Sequence, residues 1–319
     1  MLRLIMMGTG PFAVPTFRRL LASEHRVELL VTRPPRTLHG KQQADVNPMR
    51  EVARAAGIPT FEPESVNTDA ARDRLAAYQA DLLVVCDYGQ ILKPDVIGTA
   101  RLGGINLHAS LLPKYRGAAP VQWAIYHGEK ETGVSVFQLT PGIDAGPLLG
   151  VAAARIDPHQ TAIELESWLS EIGGRLVLTT VAMLAAGTAK PLPQDKAHAS
   201  RAPRLKKTDG QVDWSRPAAA IYDQIRALVP WPKTYTDWLR PDAAPLRLIL
   251  DAAVPNNRAS GPPGTVLVAE GDQLIVAAGT GSLKIDRLQP AGKRVLSAGE
   301  FLRGYPVRPG HVFGPAEAV

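Results

Sequence analysis

Two hydrogen-bonding side chains, Asn106 and His108, stand two residues apart at the end of the apolar stretch GINLH. In a β-strand, residues i and i+2 project from the same face, so this amide and this imidazole point in the same direction. A loop containing Pro113, Gly117 and Pro120 follows them. Open α/β sheets bind ligands at the carboxyl ends of their strands, and the position of the pair therefore predicts a binding or catalytic site.

A third candidate is Asp144, which lies between Gly142 and Gly146 in the loop LTPGIDAGPLL, after another predicted strand. An acidic side chain in such a loop can hydrogen-bond a neighbouring imidazole and hold its orientation. Glycine-flanked aspartates also occur in ordinary turns, and the local sequence does not separate these two interpretations.

The elements that would position these residues alternate between strands and helices. The predicted strands are Leu2–Met7, Val27–Thr32, Asp81–Cys86 and Gly104–Leu107. Helices are predicted between them, near Val14–Ser23, Met49–Ala56 and Asp69–Tyr78. This alternation predicts an α/β fold in which a Rossmann-like, mostly parallel sheet carries helices on both faces.

The character of the chain changes after residue 187. Residues 188–206 are basic, rich in proline and without periodicity, which predicts a linker. Short strand candidates separated by glycine and proline turns follow it, and they predict a smaller C-terminal β-barrel of OB-like size. We therefore expect a catalytic domain over residues 1–187, the basic linker over 188–206 and a nucleic-acid-binding barrel over 207–319.

Composition and charge narrow the class of protein. The chain has 319 residues with 45% hydrophobic content, and no run reaches the roughly 20 apolar residues of a membrane span, so we expect a cytoplasmic protein. Its single cysteine, Cys86, cannot form an internal disulfide and follows the apolar run LLVV, which favours a core thiol. The seven histidines lack metal-ligand spacing, and we expect no metal.

The net charge of the chain is +6, and +5 of it lies in residues 191–319. This concentration of positive charge favours a polyanionic partner.

The turn GTGPFA after the first strand matches the dinucleotide fingerprint G-x-G-x-x-A, so an NADP-dependent reductase is a competing hypothesis. Pro11 removes a backbone N–H where a helix N-terminus would receive the pyrophosphate, and Pro34 and Pro35 occupy the place of a ribose-binding carboxylate. A tight strand-to-helix turn is the favoured interpretation.

The stretches GINLHASLLPKYRGAAP and GIDAGPLL together resemble the folate-dependent formyltransferases. The resemblance continues in GTGPFAVP, QVDWS, VPWPKTY, PPGTV and LQPAGKR, and it runs through nearly the whole chain. It implies transfer of a formyl group from 10-formyltetrahydrofolate to the α-amino group of methionine on initiator tRNA, without a metal.

By motif match, the resemblance implies that Asn106, His108 and Asp144 are the catalytic residues. It implies that the folate-contacting segment is Ser110, Leu111, Leu112 and Pro113. The residue types suit the reaction, because attack of an amine on a formyl carbon gives an oxyanion that an amide and a protonated imidazole stabilise, while a carboxylate accepts a proton. The division of acid and base roles between His108 and Asp144 stays open.

Basic residues in two regions are the candidates for tRNA contacts. The loop TRPPRTLHGKQQADVNP is long for a strand-to-helix connection, and in the family an insertion here meets the acceptor stem. His39 stands at the position of the family's arginine in this loop. The linker and the C-terminal barrel carry further cations that can contact phosphates. The expected tRNA-binding residues are Arg36, His39, Lys41, Arg204, Lys206, Lys207 and Lys293.

Three other functions fit parts of this pattern. A formyltransferase acting on a nucleotide-linked aminosugar shares several of the motifs, and a 10-formyltetrahydrofolate hydrolase would use water as the acceptor. A non-catalytic RNA-binding module would retain the basic barrel but tolerate loss of Asn106 and His108.

Overall fold

The computed structural model describes residues 1–35, 47–256 and 261–316. The chain divides into two compact units. The first unit consists of Met1–Pro120, Glu131–Ile156 and Glu164–Pro203, and the second consists of Val121–Lys130, Asp157–Ile163 and Arg204–Val319. Arg36, His39 and Lys41 lie outside the described residues.

Nine strands and six α-helices lie in the described part of the chain before residue 204. In chain order they are β1 (Arg3–Met7), α1 (Val14–Leu21), β2 (Arg26–Val31), α2 (Pro48–Ala55), β3 (Thr60–Phe61), α3 (Asp69–Ala76), β4 (Leu82–Cys86), α4 (Pro94–Ile97), β5 (Gly104–His108), β6 (Arg116–Gly117), α5 (Pro120–Tyr126), β7 (Glu131–Gln138), β8 (Leu148–Arg155), α6 (Ala162–Ala185) and β9 (Arg201–Ala202).

Seven of these strands form the main sheet of the first unit, in the order β3-β2-β1-β4-β5-β7-β8. The strands from β3 to β5 pair in parallel, while β7 is antiparallel to both β5 and β8. All five residues of β4 are buried, as expected of a strand with helices on both faces. The strand order changes direction at β1, and open α/β sheets usually bind ligands at the carboxyl ends of the strands beside such a point.

The long helix α6 packs against the sheet and α1. A Cβ added at Gly173 would lie 2.6 Å from Leu107 Cδ2, and one at Gly174 would lie 3.1 Å from the backbone of Pro15, so both glycines permit close approach. Within the described ranges, α6 is the one helix with the length and hydropathy of a membrane span. Its Leu169 and Val177 are fully buried, as in a core helix of this unit.

The predicted linker contributes structure to the first unit. Leu192 exchanges two backbone hydrogen bonds with Leu148 at the start of β8, with N···O distances of 2.7 and 2.8 Å. Strand β9 pairs in parallel with β6, directly after the loop that follows β5. Residues 192–202 therefore lie against the segments that follow β5 and precede β8. The domain boundaries at residues 187 and 206 stay a prediction.

The second unit continues from residue 204 with seven strands and two α-helices among the described residues. They are α7 (Ala218–Ala227), β10 (Thr234–Leu239), β11 (Leu246–Asn256), β12 (Val266–Glu270), β13 (Gln273–Ala277), β14 (Ser282–Pro290), β15 (Leu296–Ser297), α8 (Ala298–Gly304) and β16 (Val312–Gly314).

All seven strands form one antiparallel sheet, in which six follow the order β12-β13-β14-β11-β10-β16 and β15 pairs with β14 beside them. Its two ends meet, because Phe313 N donates to Gly264 O and Val266 N donates to His311 O, both at 2.8 Å. Gly264 has φ +83°, and a Cβ there would lie 2.2 Å from Phe313 O, so this closure needs glycine. The predicted fold class, a mostly parallel Rossmann-like sheet followed by a small OB-like barrel, is confirmed.

Candidate active site

Strand β5 carries Asn106 and His108 to the carboxyl end of the main sheet. Asn106 lies beside Val85 of β4 and Phe137 of β7, and His108 lies beside Ser135 of β7. His108 is buried, while Asn106 is half-buried. The i, i+2 spacing places both side chains on one face of the strand.

The imidazole of His108 has a defined orientation. Its Nε2 lies 2.8 Å from the carbonyl oxygen of Tyr115, and because a carbonyl only accepts, Nε2 carries a hydrogen. Its Nδ1 faces Asp144, 3.7 Å from Oδ2. Nδ1 is therefore the ring nitrogen left to face the carboxylate, and an imidazolium here would lie at ion-pair distance from it.

Asp144 is held through both its side chain and its backbone. Its Oδ2 accepts a hydrogen bond from Gly117 N at 2.8 Å, and its carbonyl oxygen accepts one from Gln194 Nε2 at 2.9 Å. The residue has φ +48°, in the left-handed region that non-glycine residues seldom adopt. A Cβ at Gly146 would lie 1.8 Å from Gln138 O, so the end of this loop packs directly on β7.

The segment Ser110–Pro113 forms a turn tied to β7. Ser135 Oγ donates to Ser110 O at 2.7 Å and accepts from Leu112 N at 3.1 Å. Ser110 Oγ closes the turn by donating to Lys114 O at 2.6 Å. A Cβ at Gly133 of β7 would lie 2.6 Å from Leu111 Cδ2, so the turn packs closely on that strand. The segment is thus a well-defined wall beside His108, and its contact with folate stays a prediction.

Comparison with known proteins places this site in a family. The protein-family model described as formyl transferase matches residues 2–181, and the model described as formyl transferase, C-terminal domain, matches residues 204–306. The chain belongs to the formyl transferase family. The resemblance read from the motifs is confirmed, and the chain is a formyl-transferring enzyme.

Similar proteins of this family cover almost the whole chain. A methionyl-tRNA formyltransferase of Gluconobacter oxydans is 42% identical over 97% of this chain and 99% of its own length. A protein of the same name from Rhodopirellula baltica is 40% identical over 97% of this chain and 96% of its own length.

Solved structures share the fold at lower identity. An N-formyltransferase from Helicobacter canadensis, in complex with folinic acid and dTDP-3-aminofucose, superposes with a TM-score of 0.64 at 16% identity, over 89% of this chain and 98% of that one. HypX from Aquifex aeolicus in complex with tetrahydrofolic acid gives a TM-score of 0.62 at 19% identity, over 99% of this chain and 51% of that one.

The glycine turn after β1 has a packing explanation. A Cβ at Gly8 would lie 2.8 Å from Cys86 O, and one at Gly10 would lie 1.8 Å from Asp87 Oδ2. Cys86 itself is fully buried, and burial raises the pKa of its thiol well above the usual range. Both observations favour the interpretations of a tight turn and a core thiol.

Several residues that hold this site were not singled out in the sequence. Gln194, Tyr115 and Ser135 hydrogen-bond to the catalytic candidates or to their loops, and so does Gly117, which the sequence marks only as part of the loop after β5. No local pattern marks these contacts: Gln194, Gly117 and Ser135 act on residues 25 to 50 positions away in the chain, and Tyr115, seven residues from His108, acts through its backbone carbonyl.

The predicted tRNA-binding residues that the structure describes all lie in the second unit and are exposed. They are Arg204, Lys206, Lys207 and Lys293. Nearby Arg294 is paired, since its Nη2 lies 2.7 Å from Glu300 Oε1. In residues 1–35, 47–256 and 261–316, no group of three or more His, Cys, Asp or Glu side chains has the arrangement of a metal site.

Proposed function

We propose that this enzyme transfers the formyl group of 10-formyltetrahydrofolate to the α-amino group of methionine on initiator tRNA. The single observation that carries the chemistry is the approach of Asp144 Oδ2 to His108 Nδ1, at 3.7 Å, beside Asn106 on the same strand. The methionyl-tRNA formyltransferases, which match at about 40% identity over nearly their full lengths, support this choice of acceptor.

In the first step, the amine nitrogen attacks the formyl carbon and a tetrahedral oxyanion forms. Asn106 lies half-buried at the end of β5 and offers its amide N–H. His108 offers only Nδ1–H, since Nε2 is already bonded to Tyr115 O. Each such donor contributes on the order of 3 kcal/mol to stabilising the oxyanion.

Proton movements complete the reaction. A free α-amine titrates near pH 8, and it must lose a proton before or during attack. Asp144 accepts that proton, either through His108 or through a water molecule. The intermediate then collapses, the bond from the formyl carbon to folate N10 breaks, and N10 takes up a proton. Tetrahydrofolate and formylmethionyl-tRNA leave.

The folate co-substrate binds beside the turn Ser110–Pro113 in this proposal. Because Ser135 hydrogen-bonds both Ser110 and Leu112, the backbone of this turn is fixed before the ligand arrives. A fixed wall lowers the entropic cost of placing the formyl carbon next to His108. A cytoplasmic location, where charged tRNA is found, remains part of the proposal.

The tRNA contacts are assigned to exposed cations. Arg204, Lys206, Lys207 and Lys293 supply phosphate contacts from the second unit, and Arg36, His39 and Lys41 are assigned to the acceptor end. Replacing both Lys206 and Lys207 with alanine should raise KM for tRNA and make KM less dependent on salt. Each lost phosphate contact reduces the number of counterions that are released when the tRNA binds. An unchanged salt slope would contradict this assignment.

The deciding experiment offers 10-formyltetrahydrofolate together with one of four acceptors. These are initiator Met-tRNA, elongator Met-tRNA, a nucleotide-linked aminosugar and water alone. Formylmethionine from initiator tRNA supports the proposal, whereas formylated sugar or free formate without tRNA would support the sugar or hydrolase alternatives. His108→Gln should abolish the activity. His198→Gln is the matched control, since His198 is an exposed histidine whose hydrogen bond is to Asp195, and it should retain full activity.

A further inference from the structure

We propose that Gln194, in the segment that the sequence predicts as a linker, is a positioning residue that holds Asp144 against His108. This inference rests on the proposed function, because it assigns a role in that reaction to a residue that does not touch the reacting atoms. Residues 194–202 are here named the clamp segment, and two of them, Gln194 and Ser200, carry the argument.

The amide of Gln194 uses its donors and its acceptor at once. Nε2 donates to Asp144 O at 2.9 Å and to Gly146 O at 2.8 Å. Oε1 accepts from Arg116 Nε at 3.2 Å and from Arg116 Nη2 at 2.6 Å. Since carbonyls only accept and a guanidinium only donates, this arrangement allows a single orientation of the amide.

The two carbonyls that Gln194 binds belong to the residues on either side of Ala145. Asp144 has a positive φ of +48°, a left-handed conformation that is less favourable for a non-glycine residue and that surrounding contacts stabilise. The donors of Gln194 are such contacts. Without them the loop is free to relax, and the carboxylate moves away from His108.

The other partner of Gln194, Arg116, is the neighbour of the residue that binds the Asp144 carboxylate. Arg116 directly precedes Gly117, whose N–H binds Asp144 Oδ2 at 2.8 Å. Gln194 therefore joins the loop that carries Asp144 to the loop that supplies the hydrogen bond to its side chain. The relative position of these loops is set by a third segment of the chain.

The clamp segment also supports the residue that orients His108. Ser200 Oγ accepts from Tyr115 N at 2.9 Å, and Ser200 O accepts from Arg116 N at 2.9 Å. The carbonyl of Tyr115 is the group that binds His108 Nε2. One short segment thus touches the supports of both catalytic candidates, which is unexpected for a simple connection between domains.

The test compares Gln194→Met and Gln194→Glu with a neighbouring control. Methionine preserves length but cannot form these hydrogen bonds, and glutamate preserves the acceptor for Arg116 while losing the donors to the carbonyls. Both variants should lower kcat about 100-fold, as expected for a small displacement of a catalytic group. KM for tRNA and for folate should change less than about threefold, since binding surfaces are untouched.

The control is Asp195→Asn, because Asp195 is exposed and its side chain bonds only locally, to Ala197 N and His198. It should keep kcat within about twofold of the parent enzyme. A purely structural role for Gln194 would appear as a lowered melting temperature with an unchanged kcat of the folded fraction. That result, or a normal kcat in Gln194→Glu, would overturn the proposal.

A second readout does not depend on activity. Hydrogen exchange of the Gly117 amide reports the bond to Asp144 Oδ2, and it should accelerate in Gln194→Met but not in Asp195→Asn. If the parent enzyme fails to formylate Met-tRNA, the proposed function fails while this measurement still decides the positioning role. An unchanged Gly117 exchange rate in Gln194→Met would refute it.

Discussion

Replacing Asp144 with asparagine separates the charge of this side chain from its shape. In the parent enzyme, Oδ2 binds Gly117 N at 2.8 Å and lies 3.7 Å from His108 Nδ1. Because the Gly117 N–H is a donor, the asparagine must turn its oxygen toward it, so the hydrogen bond survives. What disappears is the negative charge beside the imidazole.

The expected loss of kcat follows from the distance between Asp144 Oδ2 and His108 Nδ1. Two unit charges 3.7 Å apart interact by about 4 kcal/mol at an effective dielectric constant near 20. With imidazolium formed in the transition state, losing this interaction lowers kcat by about 10³-fold, since about 1.4 kcal/mol corresponds to a factor of ten. Exchanging a charged for a neutral hydrogen bond costs about 1 kcal/mol of folding free energy, so the melting temperature should fall by no more than about 4 °C.

The assay measures initial rates of formylmethionyl-tRNA formation at saturating folate and tRNA between pH 6 and 9, together with thermal melting by circular dichroism. Asp144→Asn should lose activity across this range and keep a cooperative melt. A variant that retains more than a tenth of the parent kcat, with an unchanged pH profile, would refute the role assigned to the carboxylate.

Three further predictions test other parts of the structure. Gly133→Ala places a methyl group 2.2 Å from Ala152 O and 2.6 Å from Leu111 Cδ2, so it should destabilise the enzyme by about 2 kcal/mol and raise KM for the folate, in denaturant unfolding and steady-state kinetics. Native Cys86 should not react with a thiol reagent until the chain unfolds, and Cys86→Ala should keep kcat within about twofold; fast labelling of the folded enzyme would disprove its burial. Hydrogen bonds from Arg294 and Ser297 lower the pKa of Glu300 to about 2, so this carboxylate stabilises the fold above about pH 4.5 and the stabilisation is lost as pH falls toward 2. The difference in urea midpoint between the parent and Glu300→Gln should therefore be present at pH 7 and shrink at pH 3; an equal difference at both would contradict this.

The sequence predicts the main features of the fold because they depend on local periodicity. The buried run LLVVC reads as a central strand and becomes β4, and the turn signals after residue 207 separate the strands of the barrel. Short elements that packing defines are missed, such as the strand Thr234–Leu239 and the helix Ala298–Gly304. That helix has only seven residues, too few for periodicity to mark it, although its capping pair Ser297 and Glu300 is visible in the sequence.

The residues of the site divide in the same way, into those that a local pattern predicts and those that only packing brings together. The common direction of Asn106 and His108 follows from the sequence alone, since a two-residue spacing in a strand sets it wherever that strand lies. The tertiary structure alone brings Asp144 to His108, because their loops meet only after β7 pairs with β5. It likewise brings Gln194 to Asp144 across 50 residues and to Arg116 across 78. Contacts at such separations depend on how whole elements pack, which no local pattern of residues encodes.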